Sequence, residues 1–263
     1  MTEILIALLD SFDFEGITEE EGGIRAYIPA GNFNNDMVDE LKGRFEAYSC
    51  SITIAIEDVP EQNWNSIWES NFEPVVIGDR CVIRAPFHDN FENVKYRITI
   101  EPKMSFGTGH HQTTRLMLEA VLELDLNGKM VLDMGCGTGV LGILAAMRGA
   151  HSVTAIDSDR WAYENARENA ARNGIENINV LSGSTEVIPS RKFDIILANI
   201  NRNILTEHMS AYSDHIGRGG LLLISGILKE DENVLKEKAS ACKFSFVLSR
   251  YLDNWVMMMF DRN

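Results

Sequence analysis

The chain has 263 residues, 45% hydrophobic and 24% charged, a balance typical of a globular protein with one large domain, or one domain plus a small one. No apolar run approaches the ~18 residues of a membrane span, and the start lacks the basic and apolar regions of a signal peptide, so we expect neither. The formal net charge of −15 argues against direct nucleic-acid binding and suits a basic protein partner, although acidity that merely maintains solubility is at least as common.

The cysteines and histidines form no recognisable metal or disulfide pattern. The four cysteines are scattered without a Cys-x-x-Cys pair, at positions 50, 81, 136 and 242, which argues against zinc and against a disulfide framework. Cys136 is interpreted as a small filler in a glycine-rich loop. His110 and His111 are adjacent and lack carboxylate or cysteine partners at ligand spacing, so we expect no metal. A reducing cytoplasm is the simplest setting.

Residues 1–57 are predicted to form a small α+β domain. Apolar residues recur at helical spacing in two segments, 3–12 and 37–48. Strand patterns occupy three others, 14–20, 24–29 and 51–57, the last with alternating isoleucines. The resulting order αββαβ is typical of a ferredoxin-like unit that is short of its first strand.

Residues 58–95 are predicted to connect this domain to the rest of the chain. A helix over 62–71 carries an aromatic stripe that includes Trp64 and Trp68. We interpret this stripe as core packing between domains rather than as a platform for substrate. A short hairpin follows, with strands over 75–77 and 81–84.

The third predicted domain, residues 96–263, opens with a strand over 96–100 and a loop rich in glycine and hydroxyl residues. This loop runs into a helix over 113–124. Hydroxyl side chains at a helix start cap its free N–H groups, and the same groups could touch a ligand on a neighbouring loop. Phe106 and Gly107 in this loop, and Thr113 at the helix start, are candidate cofactor-binding residues.

The most informative stretch is a strand, a glycine-rich loop and a helix. An apolar run over 129–132 predicts a short buried parallel strand that ends in Asp133. Glycines stand at positions 135, 137 and 139, before a helix over 140–147. Glycines allow a tight turn and close approach of a ligand, and a helix start offers unpaired N–H groups and a positive dipole end. This arrangement predicts a site for a nucleotide-like ligand.

Two fingerprints overlap in this loop. Gly137-x-Gly139-x-x-Gly142 satisfies the dinucleotide pattern, which is weak alone. Asp133-x-Gly135-x-Gly137-x-Gly139 satisfies the acid-plus-glycines pattern of methyltransferases that use S-adenosylmethionine. The Asp133 carboxylate would repel a pyrophosphate but not the sulfonium and ammonium groups of S-adenosylmethionine. We therefore favour S-adenosylmethionine as the cofactor, with Asp133, Gly135 and Gly137 as candidate binding residues.

Two later strands also end in polar residues. A strand over 153–157 ends in Asp157, which could accept both ribose hydroxyls under either fingerprint. A strand over 193–198 leads into Asn199, where many amino-methyltransferases carry the residue that faces the acceptor. We hypothesise that Asn199 is catalytic and holds the attacking amine without a dedicated general base. The alternative, that Asn199 only contacts the cofactor, carries equal weight.

The rest of the chain alternates strand and helix. Further strands are predicted over 178–181 and 221–225, and helices over 160–173, 204–216 and 231–241. Two β-rich runs, 244–251 and 255–260, are predicted to close the sheet as an antiparallel pair, with Met257–Met259 in the core. Repeated βα units require a mainly parallel sheet. We therefore predict an α/β fold: a Rossmann-like, seven-stranded class I methyltransferase domain, with the ligand at the carboxyl ends of the strands.

The sequence resembles the ribosomal protein L-eleven methyltransferases (PrmA) over most of its length. The motifs that carry the resemblance are Trp64-x-x-x-Trp68 through Ile77-Gly-Asp-Arg80, Phe106-Gly-Thr-Gly109-x-His111-x-Thr-Thr114, Asp133-x-Gly-Cys-Gly-Thr-Gly139 and Ala198-Asn199-Ile200. The resemblance implies methylation of amino groups, on lysine side chains or the N-terminus, of a basic large-subunit ribosomal protein. It also implies that the N-terminal domain recognises that protein and that four residues contact S-adenosylmethionine, namely Thr114, Gly135, Asp157 and Asn199.

Three other functions remain open from the sequence alone. The enzyme could methylate another protein, RNA or a small-molecule amine, although the acidic charge counts against RNA. It could be a nicotinamide oxidoreductase, or a non-catalytic assembly factor that keeps the fold and only binds its partner.

Overall fold

The computed structural model describes residues 9, 12, 14, 16–20, 23–46, 52–57, 73–88, 91, 93–101, 103 and 105–263. The chain divides into two compact units, Met1–Trp64 and Asn65–Asn263. No described helix is long and apolar enough to cross a membrane.

The first unit contains a hairpin and a helix. Strands β1 (Gly16–Glu20) and β2 (Gly23–Tyr27) pair antiparallel, with Gly16 opposite Tyr27. Helix α1 spans Asn35–Glu46 and buries Leu41 and Phe45, which cluster with Leu9. Most of the helix predicted over 3–12 lies outside the described residues.

The strand predicted over 51–57 is wrong for the described residues 52–57, which are not in a strand. Ile52 and Ile54 do pack against the cluster of Leu9, Leu41 and Phe45, whereas Ile56 is exposed. The alternation of isoleucines thus matches the inward side chains at two of its three positions. A strand also requires a neighbour with which to form a hydrogen-bonded ladder.

The second unit contains a small sheet formed by the predicted hairpin and the strand after it. Strands β3 (Val75–Ile77) and β4 (Cys81–Arg84) pair antiparallel as predicted, and β5 (Tyr96–Thr99) adds parallel to β4. The strand predicted to open the catalytic domain therefore shares a sheet with the hairpin that was assigned to the connector. The aromatic helix predicted over 62–71 lies outside the described residues, and the division at residues 57 and 95 stays a prediction.

The large sheet of the second unit has seven strands, in the order β11-β12-β10-β9-β6-β7-β8. All neighbours are parallel except at β12, which runs antiparallel to β10 and β11. This confirms the predicted α/β class and the antiparallel closing pair. The strands are β6 (Met130–Met134), β7 (Ser152–Asp157), β8 (Ile178–Ser182), β9 (Phe193–Asn199), β10 (Ile216–Leu228), β11 (Phe244–Leu252) and β12 (Trp255–Arg262).

Helices cover both faces of this sheet. They are α2 (Gln112–Glu123), α3 (Val140–Met147), α4 (Arg160–Arg172), α5 (Arg202–His215) and α6 (Glu232–Ala241). Successive strand residues point to opposite faces, so Val131 and Leu132 belong to two different core clusters. Met257 and Met258 divide in the same way and are fully buried, which confirms that the methionine run fills the core.

Strand β10 is longer than predicted. The helix was predicted to reach residue 216 and the strand to begin at 221, with glycines at 217, 219 and 220 between them. Ile216 already pairs with Phe193. The register then shifts between Ile216 and Leu221. Glycine in a strand often marks such a bulge, and the ideal Cβ of Gly220 would lie 2.9 Å from the Asp194 carbonyl oxygen.

Candidate cofactor-binding site

The polar residues predicted at strand ends meet where the strand order of the large sheet reverses. From β6 the chain proceeds through β7 to β8 on one side and then crosses to β9 on the other. The crevice outside the carboxyl ends of strands at such a switch point is where open α/β sheets bind ligands. Asp133 in β6, Asp157 at the end of β7 and Asn199 at the end of β9 all lie at this edge.

The loop of residues 135–139, here called the glycine loop, can be built only from glycine at two of its positions. Gly135 and Gly137 have φ values of 65° and 55°, in the left-handed region that disfavours side chains. A Cβ on Gly135 would lie 2.2 Å from Cγ2 of Ile200, and one on Gly137 would lie 2.2 Å from the carbonyl oxygen of Phe106. The loop backbone is thus enclosed by neighbouring residues, and a side chain at either position would displace them.

Asp133 is a buried acid with one oxygen unused. It is 1% exposed, and its Oδ2 accepts a hydrogen bond from the Gly142 amide at 2.9 Å. Its Oδ1 has no hydrogen-bond partner among the described residues. Burial raises the pKa of Asp133 from 3.8 to about 7, the Gly142 hydrogen bond opposes this rise, and the charge of Asp157 adds to it. A cationic group beside Oδ1 would favour the ionised carboxylate.

This raised pKa predicts a pH dependence of stability. Between pH ~4 and ~7 the folded protein keeps the Asp133 proton that the unfolded chain releases, so stability falls as pH rises through this window and levels off above it. The full change corresponds to up to roughly 4 kcal/mol. We expect Asp133→Asn, which keeps an acceptor for the Gly142 amide, to remove this contribution. Urea unfolding of ligand-free protein across pH measures it, and equal slopes for both proteins would contradict the assignment.

Asp157 supports the glycine loop from the neighbouring strand. Its Oδ2 accepts from the Gly137 amide at 2.8 Å and its Oδ1 accepts from the Asp159 amide at 2.9 Å. An ionised carboxylate can accept about four hydrogen bonds, so Asp157 can still accept hydrogen bonds from the hydroxyl groups of a ligand. Sequence reasoning assigned Asp157 to a ribose only, because its bond to the loop backbone depends on the tertiary structure.

Asn199 faces a threonine of helix α2. Its Nδ2 donates to Oγ1 of Thr114 at 3.3 Å, and its Oδ1 is buried without a partner among the described residues. Thr114 is 1% exposed. The Asn199 side chain is therefore oriented by α2 and keeps an unused acceptor, which a bound amine or ammonium group could fill.

The segment before α2 contacts the glycine loop through its backbone. The Phe106 carbonyl accepts from the Thr138 amide at 2.9 Å, and the Gly107 carbonyl accepts from the Thr138 hydroxyl at 2.7 Å. The Phe106 side chain is 53% exposed. Sequence reasoning singled out Phe106 and Gly107 but missed that carbonyl groups make the contact.

The cap of helix α2 differs from the predicted one. His111, rather than a hydroxyl residue, is the N-cap, and its ring accepts from the Thr113 amide at 3.3 Å. Thr113 is fully buried, and its hydroxyl lies 2.9 Å from the His111 ring nitrogen. The helix starts at Gln112, one residue earlier than predicted, so the N-cap position falls on His111.

Two other candidate chemistries find no support among the described residues. No group of three or more histidine, cysteine or acidic residues in the described part of the chain could hold a metal ion. Cys136 is 5% exposed, and burial raises the pKa of its thiol well above the usual value. A thiol that stays protonated is a poor nucleophile, in agreement with its interpretation as a filler.

Together these features fit a nucleoside cofactor that carries positive charge. Gly135 and Gly137 carry no side chain in the loop, and Asp157 lies at the end of β7, where this fold is expected to contact a ribose. Two oxygens without a hydrogen-bond partner among the described residues, Asp133 Oδ1 and Asn199 Oδ1, lie at the same sheet edge. Either oxygen could interact with a positively charged or hydrogen-bond-donating group of a ligand.

Comparison with known proteins agrees with this geometry. The family described as "Ribosomal protein L11 methyltransferase (PrmA)" matches residues 8–263. A relative of that name from Phocaeicola vulgatus is 43% identical over 262 residues, which are 99% of this chain and 93% of the relative. Another from Porphyromonas gingivalis is 43% identical over 260 residues, 98% of this chain and 90% of the relative.

Solved structures show the same fold. A ribosomal protein L11 methylase from Lactobacillus delbrueckii subsp. bulgaricus superposes with a TM-score of 0.67 at 27% identity, covering 73% of this chain and all of that one. A methyltransferase from Pyrococcus furiosus matches with a TM-score of 0.54 at 20% identity, over 63% of this chain and 89% of that one; this likeness concerns the fold alone.

Proposed function

The chain belongs to the ribosomal protein L11 methyltransferase (PrmA) family, and we propose on this basis that it transfers methyl groups from S-adenosylmethionine to amino groups of ribosomal protein L11. The observation that carries the proposal is the closure of residues 106–107 onto the glycine loop, with Asn199 and Thr114 beside it. The motifs of these segments together are more specific than the glycine loop alone.

The residues that would hold S-adenosylmethionine follow from the site. The glycine loop offers a backbone surface with Gly135 and Gly137, Asp157 offers acceptors to the ribose, and Asp133 offers a negative charge to the methionine portion. Phe106, Gly107 and Thr113 belong to the segment that closes the site, and Thr114 orients Asn199. When bound, this cofactor supplies an electrophilic methyl group on a sulfonium.

Asn199 is the residue that we assign to the acceptor amine. The attacking amine must be neutral, yet a free lysine has a pKa of about 10.4, so deprotonation at physiological pH costs roughly 4 kcal/mol. Desolvation in the site lowers that cost. The unpaired Oδ1 of Asn199 can accept a hydrogen bond from the amine and aim its lone pair. Catalysis then consists mainly of positioning, without a dedicated general base.

Recognition of the protein substrate is assigned to the N-terminal unit, as family membership suggests. The net charge of −15 favours encounter with a basic partner through electrostatic steering. The proposed setting is the cytoplasm, where ribosomal proteins are made. Lysine side chains, the N-terminal amine or both are the acceptor groups.

The proposed function is tested by methyl transfer from tritiated S-adenosylmethionine to purified ribosomal protein L11, with ribosomal RNA and a small amine as parallel acceptors. Label in the L11 fraction, removed by proteolysis and not by ribonuclease, is the expected result. Label in the RNA fraction alone would identify an RNA methyltransferase. Absence of cofactor binding in a titration would instead point to an assembly factor.

A further inference from the structure

Helix α4 and its C-cap residue carry three asparagines on one side. Asn165, Asn169 and Asn173 are spaced four residues apart, which places them on the same side of a helix. Asn165 and Asn169 are fully buried. A buried amide without hydrogen bonds is costly, so the partners of these side chains indicate what they are for.

Asn169 joins two segments that are distant in sequence. Its Nδ2 donates to the carbonyl of Thr138, in the glycine loop, at 3.0 Å, and its Oδ1 accepts from the amide of Glu101 at 2.9 Å. The same Nδ2 also lies 3.1 Å from Oδ1 of Asn165. The amide of Asn169 therefore ties the glycine loop to the strand end that leads into residues 103–111.

Thr138 carries the connection onward. Its amide donates to the Phe106 carbonyl and its hydroxyl to the Gly107 carbonyl. One hydrogen-bond network, which includes Asn169, thus joins residues 101, 106–107 and 138. Glycine has more conformational freedom than any other residue. A loop with glycines on both sides of Thr138 therefore depends on hydrogen bonds from outside the loop to keep a single conformation.

Asn173 makes comparable bonds that do not reach the glycine loop. It accepts from the Thr99 amide at 2.8 Å and donates to the Thr99 carbonyl at 2.7 Å. Its Nδ2 also donates to the Asn169 carbonyl within the helix at 2.8 Å. These Asn173 bonds therefore join α4 to strand β5 and not to the glycine loop. Comparison of Asn169 with Asn173 therefore separates two effects. Both side chains anchor the helix to the β5 region, but only that of Asn169 contacts the glycine loop.

We propose that Asn169 is a positioning residue that preorganises the cofactor site by locking the glycine loop to the segment that closes over it. This inference rests on the proposed function. Asn169 itself is buried beneath the loop and acts through Thr138. A loop that is already ordered in the free protein loses less conformational freedom when the cofactor binds. Loss of the Asn169 hydrogen bonds therefore weakens cofactor affinity more than it slows methyl transfer at saturating cofactor.

The test compares Asn169→Ala with the matched control Asn173→Ala by calorimetric titration with S-adenosylmethionine, thermal unfolding and turnover at saturating cofactor. Both variants are expected to unfold at a lower temperature than the wild type. Only Asn169→Ala is expected to raise the cofactor Kd, by about tenfold, with kcat within about threefold of wild type. If Asn169→Ala cannot be purified folded, Thr138→Val, which removes the bond to the Gly107 carbonyl, is expected to raise the Kd in the same way.

Equal cofactor affinity in wild type and Asn169→Ala, or the same loss in Asn169→Ala and Asn173→Ala, would overturn the inference and leave the proposed function standing. Unchanged affinity in Thr138→Val, where that variant is the one measured, would overturn it too. A wild-type protein that binds no S-adenosylmethionine in the same titration would overturn the proposed function and this inference with it.

Discussion

Replacement of Gly137 by alanine is expected to raise the Kd for S-adenosylmethionine by more than about a hundredfold. Two effects add. The residue has a φ of 55°, a conformation that costs an alanine roughly 1 kcal/mol or more. Its Cβ would also lie 2.2 Å from the Phe106 carbonyl oxygen, so the loop and the closing segment must separate. Because the Gly137 amide donates to Asp157, the carboxylate that we assign to the ribose would lose its position as well.

Gly174→Ala is the matched control for this prediction. Gly174 also has a left-handed φ, 67°, but nothing lies within 4 Å of its ideal Cβ. An alanine at position 174 therefore has the unfavourable backbone conformation but no steric clash. Calorimetric titration and thermal unfolding of both variants separate the two effects. A Gly137→Ala protein that binds the cofactor as tightly as Gly174→Ala would contradict the placement of the cofactor on this loop.

Replacement of Asn199 by alanine is expected to lower kcat by about a hundredfold, with the cofactor Kd within about threefold of wild type. The alanine removes the unpaired Oδ1 that we assign to the acceptor amine and leaves the glycine loop and Asp157 in place. Single-turnover methylation of ribosomal protein L11, with cofactor affinity measured separately, tests both parts.

Asn201→Ala is the control for Asn199→Ala. Asn201 is two residues away and caps helix α5, where its side chain accepts from the Ile204 amide at 3.1 Å. Its loss should lower stability by about 1 kcal/mol without lowering turnover. A tenfold or smaller loss of turnover in Asn199→Ala, with cofactor binding intact, would contradict the assignment of Asn199 as a catalytic residue. A loss confined to cofactor affinity would support the alternative that Asn199 only contacts the cofactor.

The inner part of the large sheet could be predicted from sequence because strands such as β6, β7 and β9 are buried on both faces. Strands β6 and β9 are mostly apolar, with a polar residue, Asp133 or Asn199, at or next to the carboxyl end. Since parallel strands present their carboxyl ends at one edge, Asp133, Asp157 and Asn199 could be placed together before any coordinates.

The small structural units were predicted less well because their pairing depends on partners elsewhere in the chain. Residues 52–57 have the alternation of a strand but form none. Strand β5 was predicted correctly, yet its parallel pairing with β4 could not be read from its own residues. Local pattern specifies which face is apolar, whereas strand pairing is a tertiary choice.

The contacts that shape the site were mostly invisible in the sequence for a related reason. The bonds from Thr138 to the carbonyls of Phe106 and Gly107 involve backbone groups that every residue carries. The asparagines of α4 did carry a signal, a spacing of four along one helical face, but an isolated helix gives no indication that Asn169 reaches the glycine loop. The identity of a side chain indicates the chemistry it can perform, but it does not indicate which backbone groups will contact one another.

The position of the cofactor is tested most directly by a crystal structure of this protein soaked with S-adenosylmethionine. We expect ligand density against residues 135–139, with the Asp157 carboxylate facing the sugar and the Asn199 amide beside the methyl-bearing sulfur. Density elsewhere on the protein, or an Asp157 side chain turned away from the sugar, would contradict it.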